Sequence, residues 1–85
     1  MDAAVLSEAM TIADAATGVR EAAAALRARF AGLRVVVVDA FDMRSETPTA
    51  IGEKRQLYLG ASDGHCWSVT TDAGQAVGFF IAEKS

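Results

Sequence analysis

Eighty-five residues, 52% of them hydrophobic and 22% charged, are too few for two domains and too apolar for a disordered chain, so a single globular domain over 1–85 is expected. A net charge of −3 with its basic residues dispersed speaks against a nucleic-acid footprint, and one cysteine rules out an intramolecular disulfide. Arg20, Arg27, Arg29 and Arg34 interrupt the longest apolar stretch, which leaves nothing near the roughly 20 residues a membrane span needs.

Met1-Asp2 is not the basic opening of a signal peptide, so the cytoplasm is the expected compartment. From Ala3 to Phe30 the chain is Ala-rich and free of Pro, and residues 3–30 are expected to be helical. Val19, Ala22, Ala23, Leu26 and Phe30 recur at helical spacing. Leu6, Met10 and Ala13 form a second apolar stripe upstream. Thr17-Gly18 should break or kink the helix between the stripes, with Thr17 a candidate cap for the second half. Arg27 and Arg29 fall in the last turn, where they offset the helix dipole, and Gly32 lies just beyond. Arg20 and Arg27 share one face at two-turn spacing, which reads first as a solvated face.

Val35-Val36-Val37-Val38 is a β-branched run, and a strand is expected over 33–41. Because the run is continuous instead of alternating, the strand reads as central and buried on both faces. Residues 43–54, with the sole Pro and little large apolar content, read as a long loop, functional or disordered. Asp63-Gly64 between two apolar runs is a strong hairpin signal, because Gly takes up positive φ without steric cost. A hairpin over 56–70 follows, with Gly60 inside its first strand marking either a bulge or a place where something packs close to the backbone, the Trp67 ring being one candidate. Asp72 is placed to open a helical turn through Ala76, and 78–82 reads as the last strand. The fold expected is α+β in two layers, an N-terminal helix or kinked helix pair on one face of a mostly antiparallel sheet of three or four strands.

That architecture leaves the second face of the sheet without a helix to cover it. Val36, Val38 and Phe80 are the expected interface residues there, toward a second copy or an unknown protein partner. A small-ligand site is the alternative, in a pocket between loop 43–54 and the hairpin mouth, with Asp39, Arg44, Lys54, Arg55, Asp63 and His65 as its polar groups. Adjacent residues on a strand point to opposite faces, so His65 is badly placed to activate Cys66 or to share a metal with it. Cys66 therefore reads as a small buried hydrophobe, and Trp67 as a core anchor. A hydrolase or thiol enzyme would need Cys66 or His65 within hydrogen-bond reach of Asp39. Asp39 and Asp42, three apart at a strand end, diverge instead of converging as paired acid and base groups must. No metal, cofactor, nucleic acid or membrane partner is expected, and the chain leans away from an enzyme.

Val35 to Arg44, taken with Leu57 to Trp67, resembles a family of small uncharacterised proteins of nitrogen-fixing proteobacteria. The resemblance leaves the Ala-rich N-terminus outside. It implies a bacterial, cytoplasmic setting and an accessory role, and it assigns no residue a catalytic or binding part.

Overall fold

A computed structural model of the chain describes residues 1–64 and 66–84. Two helices come first, α1 (Ala3–Ala15) and α2 (Val19–Arg29). Extended Asp2 starts α1 by accepting the Val5 N–H at 2.9 Å, one of the donors a helix start leaves open. The break falls where Thr17-Gly18 places it, but Gly18 is the N-cap of α2 and no side chain caps it, so Thr17 does not take that role. Phe30 N–H donates to Leu26 O at 2.9 Å as α2 ends.

Five strands follow: β1 (Arg34–Val37), β2 (Ala50–Ile51), β3 (Arg55–Ser62), β4 (Trp67–Thr70) and β5 (Gly78–Glu83). Their order is β1-β5-β3-β2, with β4 on the far half of the same side of β3 that β2 occupies. β1 runs parallel to β5 and the other pairings are antiparallel. The protein is thus an α+β fold, two helices packed on a mostly antiparallel sheet.

One sheet face carries Val35, Leu57, Leu59, Phe79 and Ile81 against Ala9, Ala13, Ala22, Ala23 and Leu26 of the helices. Small Ala side chains let the helices approach the sheet closely, which suits an Ala-rich chain. The opposite face holds Tyr58, Phe80 and Ala82 under Val36, Val38, Met43, Trp67 and Val69. Trp67 lies across Gly60 and Gly78, which pair in register, and a Cβ on Gly60 would enter its ring. Of the two readings of Gly60, a bulge or a close approach, the structure has the close approach, with the Trp67 ring as the neighbour.

β1 departs from the sequence expectation. It is shorter than 33–41 and lies at the sheet edge, not the centre. Nor is the run buried on both faces: Val35 is buried against the helices and Val36 is half-buried beside the Trp67 layer, but Val37 is 38% exposed, because a strand at the border of the sheet is covered only where its neighbours reach it. Residues 43–54 also depart from it, since they include β2, whose flanks close by Thr49 N–H to Leu57 O and Gly52 N–H to Arg55 O, each 2.8 Å. The hairpin forms, its strands closing with Ser62 opposite Trp67, and Gly64 between them takes φ +97°. His65, one of the expected ligand residues, lies outside the described residues. No helix among the described residues is long and apolar enough to cross a membrane.

Candidate functional site

The open edge of β1 is built by α2. Arg20 and Arg27, two turns apart, face it across an open groove of about 450 Å³ floored by Val35, Val36 and Val37. Arg27 donates through Nε and Nη2 to Val35 O at 3.3 and 2.7 Å. This pair is more than a solvated face: one member holds a strand carbonyl.

In a parallel ladder the N–H and C=O of alternate residues point to the same neighbour. Arg34 N–H donates to Val77 O at 3.2 Å and Val38 N–H to Ile81 O at 2.9 Å, so the even positions face β5. Val35 and Val37 therefore turn their N–H and C=O groups outward. Among these, Val35 O is taken by Arg27. Val37 keeps an apolar side chain 38% exposed beside the groove. A second groove of about 490 Å³ continues past Val37 and Arg20 to Val19, Asp39 and Glu83. The edge is thus basic at its Arg27 end and acidic at its Asp39 end.

The expected pocket between 43–54 and the hairpin mouth is not assembled. β2 pairs with Gln56 and Leu57 near the start of β3, whereas the hairpin loop follows Ser62 at its other end. The seven steps from Arg55 to Ser62 span about 23 Å at a strand's rise. Asp39, Arg44 and Asp63 are engaged locally instead. Asp39 Oδ1 accepts the Phe41 N–H at 2.7 Å; Arg44 donates to Phe41 O at 2.8 Å with its guanidinium 4.1 Å from the Phe41 ring centroid. Asp63 Oδ1 accepts the Cys66 N–H at 2.7 Å.

Arg55 is 3% exposed, too buried to meet a ligand from solvent, with Nε 3.3 Å from Glu83 Oε1. Its Nε and Nη1 lack a hydrogen-bond partner among the described residues, as does Trp67 Nε1. Cys66 is exposed, not buried, because it belongs to the loop ahead of β4. Cys66 lies at the opposite end of the sheet from Asp39, so the two are not in contact. No three His, Cys, Asp or Glu side chains group as metal ligands among the described residues.

Of the expected interface residues, Phe80 is 7% exposed, covered by Trp67 with ring centroids 5.1 Å apart. The bare second face expected for the sheet is corrected to that extent: the chain lays its own Trp67 and Met43 on it. Val36 and Val38 remain half-buried on the β1 border. Sequence reasoning did not single out Val37 within the valine run and gave Arg27 a part only at the end of its own helix, since nothing local marks a valine run as an edge.

Asp14 is the other residue it missed. Near the end of α1, its carboxylate accepts the successive N–H groups of Glu53, Lys54 and Arg55 at 2.7, 3.1 and 3.0 Å. Desolvation is the largest single influence and raises its pKa, but the three donors and the Arg55 charge together outweigh it, leaving the carboxyl below its ordinary value. The groups a ligand would need at that turn are already held by the fold.

Comparison with curated proteins and with solved structures returns no significant match. A family model does match residues 7–84, from the first half of α1 through β5. The chain belongs to this family, described as a family of unknown function (DUF6129).

Proposed function

We propose that the domain is a non-enzymatic interaction module that takes up an extended polypeptide by strand addition at β1. The observation that carries this reading is the outward-facing main chain of Val35 and Val37 at an edge that, among the described residues, pairs with β5 alone. Strand addition draws affinity from main-chain hydrogen bonds and specificity from flanking side chains. Val36 and Val38 supply the apolar flank, and Arg20, Arg27 and Asp39 the charged one. Edge strands are commonly blunted by charge or cover. Here Arg27 occupies a single acceptor and leaves Val37 open, which restricts where an incoming strand can start. A cytoplasmic, bacterial accessory role accords with the same reading.

Val37→Pro tests it. The substitution removes an outward N–H that serves no internal bond, a position where a strand tolerates Pro. Wild-type protein immobilised in lysate of its native organism is expected to retain a protein that the Val37→Pro variant, equally folded by circular dichroism, does not. Identical retention by the two would refute strand addition at this edge.

A further inference from the structure

The strand-addition reading leaves open what occupies the edge, and the inference here rests on that reading. We infer that the occupant is a second copy of this chain, paired antiparallel through β1 with Val37 opposite its own counterpart on a two-fold axis.

Charge is the first argument. The groove runs from Arg27 through Arg20 to Asp39 and Glu83. A peptide of one sign would meet like charge at one end of it. A second copy laid antiparallel brings its acidic end to the basic end of the first, and the reverse, by symmetry.

Hydrogen bonding selects the register. In an antiparallel pair, outward groups must meet outward groups. Symmetric pairing can therefore set Val35 against Val37, Val35 against itself, or Val37 against itself. The first two place Val35 O among the central acceptors, and Arg27 already holds that oxygen through Nη2 at 2.7 Å. In the third, Val37 exchanges both of its bonds with its counterpart at the centre, and Val35 O is called on only in the flanking pair with Asp39, through the lone pair that Arg27 leaves. Val36 then faces Val38 of the second copy on one side of the sheet, while Val37 side chains meet on the other, covering the exposed valine. Val35 stands opposite Asp39, so Arg27, fixed at the Val35 carbonyl, comes beside an Asp39 carboxylate. That pair forms twice in the dimer. For a domain this small, which buries only about 60% of its unfolded surface, added burial is a substantial gain.

Sedimentation velocity of the full chain, in reducing buffer because Cys66 is exposed, is expected to show a monomer–dimer equilibrium in the micromolar to millimolar range. Val37→Pro should be monomeric throughout with unchanged circular dichroism. Arg27→Glu and Asp39→Arg should each weaken the homodimer by about tenfold, two cross-strand pairs having turned from attraction to repulsion. An equimolar mixture of those two variants should recover the dimer, since both pairs in the heterodimer are again of opposite sign. Should either variant lose its fold, the wild-type and Val37→Pro measurements still decide the matter.

A strictly monomeric wild type, or a Val37→Pro variant that dimerises as well as the wild type, overturns the inference. Failure of the mixture to recover, with both variants folded, overturns the register. If the wild type is monomeric yet retains a different protein in a Val37-dependent manner, self-pairing fails while strand addition stands. Retention indifferent to Val37→Pro removes the broader reading as well.

Discussion

Asp14 shows how much one side chain can organise. Three consecutive N–H groups at the turn into β3 would otherwise point at water, and a single carboxylate from α1 collects them. Gly52 lies so close that a Cβ there would collide with that carboxylate, so the turn and its latch require each other. Asp14→Asn keeps the shape but loses the charge-assisted bonds, and should cost about 1–3 kcal/mol at neutral pH by urea denaturation. The sign of the pH dependence follows from the native carboxyl lying below its ordinary value of 3.8. Its contribution is complete above that unfolded value and is lost as pH falls through the native one. The stability gap between wild type and Asp14→Asn should therefore close under acid, below about pH 3.8, and a gap that widened there would contradict the latch.

The hairpin and β5 share a single packing device. Gly60 and Gly78 pair in register, and the Trp67 ring crosses them to reach Phe80, with the Arg34 guanidinium 4.8 Å from its centroid. That ring does for the second face of the sheet what α1 and α2 do for the first. Gly60→Ala places a methyl where the ring lies and should destabilise by about 1–3 kcal/mol, the usual cost of overpacking. Because Trp67 is the only tryptophan, its emission should shift to the red in this variant as the ring is lifted toward solvent. Unchanged emission would mean that the ring does not depend on the glycine floor. The two strands of the hairpin and Gly64 were legible because turn chemistry and alternation are local properties. That β1 is an edge was not legible, since neighbours in a sheet are chosen by distant segments.

For the whole molecule, the decisive layer is the one beneath the helices. Leu26 is fully buried there among Ala22, Ala23, Phe79 and Ile81, in a domain whose other helix-borne core residues are mostly alanines. Leu26→Ala should cost about 2–5 kcal/mol, a large share of the roughly 5–15 kcal/mol typical of a domain. Equilibrium urea unfolding with a midpoint indistinguishable from wild type would show that α2 is not held through this residue.

Local chemistry was enough to read the helix break at Thr17-Gly18, the valine strand, the Asp63-Gly64 reversal and the α+β class, each set by the conformational preferences of a few neighbouring residues. Long-range contacts settled the rest. Arg20 and Arg27 acquired a strand edge to face, Asp14 acquired a turn about 40 positions away to hold, and Arg55 was drawn under the helices instead of remaining on the surface. Pairing order and burial depend on which distant segments meet, and no local stretch carries that information.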